Sequence, residues 1–205
     1  MNVFVETNFV LELALEQHER EACERILDLA ANHVIHLFVP AYSLVEPHET
    51  LTRRHRDRQN LRSQIATELT QLARSAPLAQ RANASQEVVK LLVESAEHET
   101  KQLGVVKERI WSVAEILPLT AAVLRRAVEC QSVYDLSPQD AVVYASVRTQ
   151  LDSDYASQSC FISRNPADFD DPDLQKDLAT VNCKYLSSFA NAVQFIAHAI
   201  KPRGA

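Results

Sequence analysis

"CFISRNPADFDDP", residues 160–172, is a short apolar run that gives way to acids and amides. Residues 160–163 have the composition of a short buried strand, and Asn165 and Asp168 follow directly. One interpretation is an ordinary exposed turn, which the "NPAD" composition favours. The other is that a strand delivers metal ligands to a site at its end. The rest of the chain bears on this choice.

Composition indicates a folded protein of one domain. The chain has 205 residues, of which 46% are hydrophobic and 23% charged, and its net charge is −6. This charge does not favour binding to nucleic acid through bulk electrostatics, although a local basic patch could exist. The chain has only two glycines, Gly104 and Gly204, which argues against a glycine-rich phosphate loop.

The sequence also predicts where the protein resides. We expect a cytoplasmic protein with four reduced, buried cysteines, because these are scattered and form no C-x-x-C pair. No apolar run approaches the roughly 18 residues of a membrane span. The start of the chain lacks the basic leader of a signal peptide, and Glu6 interrupts its apolar stretch.

Short apolar runs alternate with helical patterns along most of the chain. Five runs are predicted to contain strands: residues 2–5, 35–40, 160–163 and 181–186, and residues 114–120, where a strand is followed by a turn. This alternation predicts an α/β protein whose mainly parallel sheet is covered by helices. Residues 57–113 look almost wholly helical and are predicted to form a helical hairpin added to the core. We therefore expect a single domain over residues 1–205 with 57–113 as an insertion.

Acids and amides recur at the ends of these elements. Glu6 follows the first strand, and Asn165 and Asp168 follow the fourth. Glu46 lies about two turns into the helix after the second strand, and Asp140 lies in the first turn of the helix before the fourth. Because functional crevices lie beyond the carboxyl ends of parallel strands, all five side chains are expected at one edge of the sheet.

Such a group of carboxylates needs a counter-charge, since like charges a few ångströms apart repel. Mg²⁺ and Mn²⁺ prefer carboxylate, carbonyl and water oxygens, whereas the histidines and cysteines show no zinc-ligand spacing. A carboxylate-held Mg²⁺ or Mn²⁺ suits phosphodiester hydrolysis, because it acidifies a water and offsets charge on the phosphate.

Each residue taken alone also has a structural explanation. Glu6 could be an exposed acid at a helix start, and Glu46 could lie on a solvated helix face. Asp140 could be the reciprocal capping partner of Ser137. The acids that follow Asp168 are interpreted as a solvated turn entering a short helix. Only the joint placement of the acids at one sheet edge favours function.

The order of these motifs resembles that of the PIN-domain nucleases, including the VapC-type toxins of toxin–antitoxin pairs. "VFVETNFVLEL" is similar to the family's first strand followed by Asp-Thr-Asn, and "VPAYSLVEPHETLTRR" to its second motif. "EILPLTAAVLRRAVECQSVYDLSPQDAVVYASV" resembles the third motif and "CFISRNPADFDDP" the fourth. The resemblance covers about 1–56 and 114–190. It implies a three-layer α/β/α sandwich and Mg²⁺- or Mn²⁺-dependent cleavage of RNA.

The resemblance also assigns roles to residues. It implies that Glu6, Glu46 and Asp140 are the main metal carboxylates and that Asp168 and Asn165 complete the site. The small polar positions beside the metal correspond to Thr7, Asn8 and Ser163. Two positions depart from the family pattern: Glu6 stands where Asp is usual, and Asn165 stands where Asp is common. The first lengthens the carboxylate arm, and the second removes a charge.

Several functions stay open at this point. The main hypothesis is an endoribonuclease, which could be the toxin of a toxin–antitoxin pair with an antitoxin partner. Homodimers are common in the resembling family. The alternative is a catalytically weak or inactive PIN-like binding or assembly module, as Asn165 and the extra hairpin would allow. A phosphatase is disfavoured, because its usual nucleophile would be an Asp at the position of Glu6.

Basic side chains near the predicted site could hold the RNA backbone. The candidates are Arg53 and Arg54, in the helix that carries Glu46, and Arg164, next to the fourth strand. Arg164 is the best single candidate for a phosphate contact. A solvated helix face paired with nearby acids is the alternative explanation for the basic run. Few aromatic residues accompany these positions, so base stacking is not indicated.

Overall fold

A single parallel sheet forms the centre of the protein. The computed structural model describes residues 1–154 and 156–200. The strands in this part of the chain are β1 (Asn2–Val5), β2 (His36–Pro40), β3 (Glu115–Leu117), β4 (Ser159–Ile162) and β5 (Cys183–Leu186). They lie in the order β3-β2-β1-β4-β5, and every neighbouring pair is parallel. The predicted mainly parallel sheet is confirmed, and the carboxyl ends of its strands share one edge.

Helices connect the strands and cover both faces of the sheet. They are α1 (Thr7–Ala14), α2 (Arg20–Ala31), α3 (Ala41–Leu72), α4 (Ala79–Ala84), α5 (Gln86–Val113), α6 (Ala121–Tyr134), α7 (Pro138–Ser153), α8 (Pro166–Phe169), α9 (Pro172–Thr180) and α10 (Phe189–Ala199). Most of their starts agree with sequence signals. For example, the hydroxyl of Ser137 caps α7 by accepting a hydrogen bond from the backbone of Asp140.

The alternation of side chains along the strands produces the layers. Val3 and Val5 face a core that includes residues of α1, α2 and α10. Phe4, between them, faces a second core with α6, α7 and α9, where it stacks on Phe38 with 4.9 Å between the ring centroids. Because successive residues of a strand point to opposite faces, the apolar strands need helices on both sides. The result is the expected α/β/α sandwich.

The predicted helical hairpin is present, but it differs from the prediction in two ways. Helix α3 runs without a break from Ala41 to Leu72, because the stretch after Pro47 contains no glycine or further proline to end it. The last third of α5 belongs to the core, where Leu103, Val106 and Ile110 are buried. The hairpin therefore grows out of core helices, and the division of the domain at 57–113 stays a prediction.

Two further predictions concern the whole chain. All four cysteines are buried and unpaired, as expected. None of the helices in the described part combines the length and the apolar composition that a membrane span requires. The cytoplasmic location stays a prediction.

Candidate active site

The sheet has its topological switch point between β1 and β4, since the chain leaves β1 toward β2 on one side and returns at β4 on the other. Open parallel sheets form their ligand crevices at such points. Glu6 follows β1 directly, and Ser163 follows β4. Val5 and Ile162 are paired in register, so the two residues that follow them leave the sheet side by side.

Glu6 is a buried acid that also caps a helix. Glu6 is 5% exposed, and its Oε2 accepts a hydrogen bond of 2.8 Å from the backbone N–H of Asn8 in the first turn of α1. Its Oε1 is buried and has no hydrogen-bond partner among the described residues. A buried carboxylate oxygen without a donor is costly, so this atom indicates a missing positive or donor group.

Burial raises the pKa of Glu6 to about 7 from its ordinary value of 4.5. The backbone and side chain of Asn8 and the hydroxyl of Ser163 favour the ionised form, and the negative charge of Glu46 opposes it. The contribution of Glu46 indicates that the carboxylates of β1 and α3 are neighbours. Glu6 therefore lies in a pocket where a negative charge is poorly compensated.

Glu46 lies on the second turn of α3 and points toward Glu6. Its Oε2 accepts a hydrogen bond from the hydroxyl of Thr7. Burial raises the pKa of Glu46, and the charges of Asp140 and Glu49 raise it further, while Thr7 lowers it. The solvated helix face considered for Glu46 is thus wrong, because its carboxylate is partly buried and faces other acids.

Asp140 lies in the first turn of α7, and its carboxylate is paired with the residue that caps this helix. The hydroxyl of Ser137 accepts a hydrogen bond from the backbone N–H of Asp140 and donates one to the carboxylate, whereas the reciprocal bond of a capping box would run from the backbone N–H of Ser137. Burial raises the pKa of Asp140, and the charge of Asp168 raises it further. The cap and the candidate site are therefore compatible, since the cap orients the same carboxylate that faces the other acids.

Asn165 lies between two of the acids. Its side-chain amide donates a hydrogen bond to Asp168 and lies 3.5 Å from Oδ1 of Asp140. Its backbone N–H donates to the hydroxyl of Ser163 at 3.0 Å. The amide group thus reduces the repulsion between Asp140 and Asp168, at a position where the family commonly has another carboxylate.

The four acids form a continuous series from Glu6 through Glu46 and Asp140 to Asp168. Within residues 1–154 and 156–200, none of the four takes part in an ion pair with a basic side chain. The same part of the chain holds no three His, Cys, Asp or Glu side chains arranged to bind a metal. Each acid is bonded instead to its own uncharged donor: Asn8, Thr7, Ser137 or Asn165. The donor types suit a hard cation, but the ligands are not preassembled.

The basic candidates are placed differently from one another. Arg53 is exposed and lies seven residues after Glu46, hence on the same face of α3 and about 10 Å further along it. Arg54 is less exposed, and its charge acts on Glu99 of α5. The guanidinium of Arg164 contacts Glu12 and Glu19. An RNA contact by any of the three stays a prediction.

Glu12 is 2% exposed and is not among the predicted site residues. A signal for it existed, because Glu12 is the only charged residue in the helix "TNFVLELA", and an acid inside an apolar helix must find a partner. The sequence could not identify that partner, since Arg164 is 152 positions away.

The fold and the site define a doubly wound parallel α/β protein with a cluster of carboxylates at the carboxyl edge of its sheet. A family model described as "PIN domain" matches residues 3–169, which is more than half of the chain, so the chain belongs to the PIN-domain family. The family indicates a nuclease-type function in general. A search of curated proteins finds no match. A search of solved structures finds none either.

Proposed function

We propose that the protein is a Mg²⁺- or Mn²⁺-dependent endoribonuclease. The observation that carries the proposal is the series of four partly or fully buried acids without a basic partner in the described part of the chain. Burial and mutual repulsion raise the pKa values of Glu6, Glu46 and Asp140, and only uncharged donors contact them. A divalent cation is the counter-charge that fits such a set of oxygens.

The proposed ligands are Glu6, Glu46 and Asp140, with Asp168 and Asn165 completing the site. When bound, the ion would supply an acidified water and positive charge against the scissile phosphate. The chain's own part is to orient these oxygens. Thr7 holds Glu46 and Ser137 holds Asp140, so both carboxylates have defined positions before any ion arrives. The buried Oε1 of Glu6 supports the proposal, because no described residue donates a hydrogen bond to it, although the hydroxyl of Ser163 favours the ionised form of Glu6.

The test is cleavage of single-stranded and structured RNA by the wild type and by Asp140→Asn, with Mn²⁺ and with EDTA. We expect Mn²⁺-dependent cleavage by the wild type and loss of at least about 100-fold in the variant, because a charged ligand is removed from the reacting centre. Asp28→Asn is the matched control, since it removes the same charge from an exposed residue of α2. Circular dichroism checks that each variant is folded. Undiminished cleavage by Asp140→Asn would rule out this site.

A second candidate is a PIN-like binding or assembly module without catalysis. It is supported by Asn165, whose amide partly replaces a cation between Asp140 and Asp168. Calorimetric titration with Mn²⁺ separates the two functions. Heat of binding that disappears in Asp140→Asn favours the nuclease, whereas no binding at millimolar Mn²⁺ favours the module.

The narrower functional predictions rest on the resemblance alone. These are the role as a toxin, an antitoxin partner and a homodimer. RNA as the substrate has additional support from the exposed Arg53, which lies on the same helix face as Glu46. Its contact with a backbone phosphate would make cleavage sensitive to salt.

A further inference from the structure

We infer that Arg164 is a positioning residue, which fixes the segment between β4 and α8 through a pair with the buried Glu12. This inference rests on the proposed function, because the segment carries Ser163 and Asn165 into the candidate site. It gives Arg164 a different role from the phosphate contact that the sequence favoured.

The partner of Arg164 is a buried acid that needs a compensating charge. Glu12 lies inside α1, and its side chain is 3% exposed. Its Oε1 accepts a hydrogen bond from a terminal nitrogen of Arg164, and its Oε2 accepts one of 2.9 Å from the backbone N–H of Glu19. Both oxygens are therefore satisfied, and the arginine supplies the only charge that compensates this carboxylate among the described ion pairs. Removing the arginine would leave a buried, unpaired charge.

The Arg164–Glu12 pair is connected through Glu19 to a third part of the fold, the start of α10. Nε of Arg164 lies 3.6 Å from Oε2 of Glu19. The carboxylate of Glu19 accepts hydrogen bonds from the hydroxyl of Ser188 at 2.5 Å and from the backbone N–H of Phe189 at 3.0 Å, at the start of α10. One guanidinium thus connects α1, the α1–α2 connection and, through Glu19, the N-terminus of α10.

The residues on either side of Arg164 face the site instead. Ser163 is fully buried, and its hydroxyl favours the ionised form of Glu6. Asn165 contacts Asp140 and Asp168. The backbone is held as well, because the hydroxyl of Tyr185 donates to the carbonyl of Ser163 at 3.1 Å. The side chain of Arg164 therefore holds the other side of this short segment against Glu12 of α1 and against Glu19, as an outer hydrogen-bond partner orients a ligand.

The geometry argues against a free phosphate-binding arginine. The side chain of Arg164 is 37% exposed, but a phosphate would compete with two carboxylates that already contact the guanidinium. One of them, Glu12, has a side chain that is only 3% exposed, so solvent has little access to replace the arginine. A phosphate contact through the nitrogens that hold Glu12 and Glu19 would thus require breaking a buried charge pair, which is strongly unfavourable.

The two roles predict different kinetics, so the test is a double-mutant cycle with Arg164→Ala, Glu12→Gln and the double variant. For a positioning role we expect each single variant to lower kcat for RNA roughly 10- to 100-fold. KM should stay within about twofold, because no contact with substrate is lost. The double variant should be no worse than either single variant, because both disrupt one unit. The salt dependence of binding should not change.

A phosphate contact would give the opposite pattern. Arg164→Ala would then raise KM and reduce the salt slope by about 1, while Glu12→Gln would leave cleavage intact. That result would overturn the inference. Arg74→Ala is the matched control, because this exposed arginine lies beyond the far end of α3, about 40 Å along the helix from Glu46.

Two further measurements keep the inference testable if a variant is unstable or the wild type is inactive. Arg164→Lys keeps the charge, so its kcat should be higher than that of Arg164→Ala, and its melting temperature should equal that of the wild type. An inactive wild type would refute the proposed function only. In that case hydrogen exchange decides on Arg164: faster exchange across residues 163–169 in Arg164→Ala than in Arg74→Ala supports the positioning role. Equal exchange in the two variants would overturn it.

Discussion

Replacing Glu6 by Gln should make the metal-free protein more stable at alkaline pH. The pKa of Glu6 is about 7 in the folded chain, against an ordinary value of 4.5, with burial as the main cause. The substitution keeps the oxygen that accepts the backbone N–H of Asn8 and removes the charge that burial disfavours. The variant should therefore fold with the same geometry and without the cost of ionising a buried acid.

The size and the pH range of the effect follow from these values. Below pH 4.5, Glu6 is protonated in both the folded and the unfolded chain, so its ionisation does not affect stability. Between 4.5 and about 7 the unfolded chain loses the proton while the folded chain keeps it, so the stability of the wild type falls as pH rises. The difference of 2.5 corresponds to about 3 kcal/mol, at ~1.36 kcal/mol for each pKa unit. Gln at this position should remove most of that cost above pH 7.

The assay is urea denaturation in EDTA at pH 5, 6, 7 and 8, in which the free energies of unfolding of wild type and Glu6→Gln are compared. We expect similar free energies at pH 5 and an advantage of the variant that grows to about 3 kcal/mol at pH 8. Glu68→Gln, at an exposed position of α3, is the matched control and should show no such trend. A variant that is equally or less stable than the wild type at pH 8, or a difference that does not change with pH, would refute the reasoning.

Three further predictions follow from the same structure. Asn165→Asp should lower the melting temperature in EDTA at pH 8, because it adds a charge beside Asp140 and Asp168, and it should increase the stabilisation by Mn²⁺. Differential scanning calorimetry with and without Mn²⁺ measures both effects. Equal shifts of the melting temperature by Mn²⁺ in the variant and the wild type would contradict the prediction. Phe161→Ala should lower the free energy of unfolding by about 3–5 kcal/mol in urea titrations, since this ring of the central strand β4 is fully buried and packs against Phe169. A loss below about 1 kcal/mol would contradict this prediction. Deleting residues 57–113 should abolish cooperative unfolding, whereas replacing only residues 61–97 by a loop of about six residues should preserve cooperative unfolding. Circular dichroism during unfolding measures both variants, and cooperative unfolding of the full deletion would contradict the prediction.

The sequence allowed the sheet and the edge that carries the site to be predicted, because the signals are local. Short apolar runs mark the strands, and in a parallel sheet each strand delivers its next residue to the same edge. The positions of Glu6 and Asn165 follow from this rule alone. Asp140 could be placed because Ser137 and Pro138 mark the start of its helix.

The contacts of individual side chains could not be predicted, because they depend on distant parts of the chain. The polar composition after Ile162 does not indicate that Arg164 turns toward α1 while its neighbours turn toward the acids. The point at which the hairpin leaves the core could not be predicted either. The apolar pattern does not distinguish a helix that lies on the core from one that leaves it, and α3 does both. Only the burial of Leu51 and of Leu103 marks where the hairpin leaves the core.

The hydrogen bonds at the site explain why the acids can be close together and still not form a preassembled metal centre. Thr7 holds Glu46, Ser137 holds Asp140, and Asn165 holds Asp168, each with a neutral donor that lowers repulsion without cancelling charge. A cation must compete with these donors for the same oxygens, so the free energy of ion binding is reduced by the hydrogen bonds that are lost. Oε1 of Glu6 differs, since no described residue donates a hydrogen bond to it. If the acids bind a metal, this oxygen therefore loses no hydrogen bond, but burial holds the pKa of Glu6 at about 7, so below that pH the cation must also displace a proton.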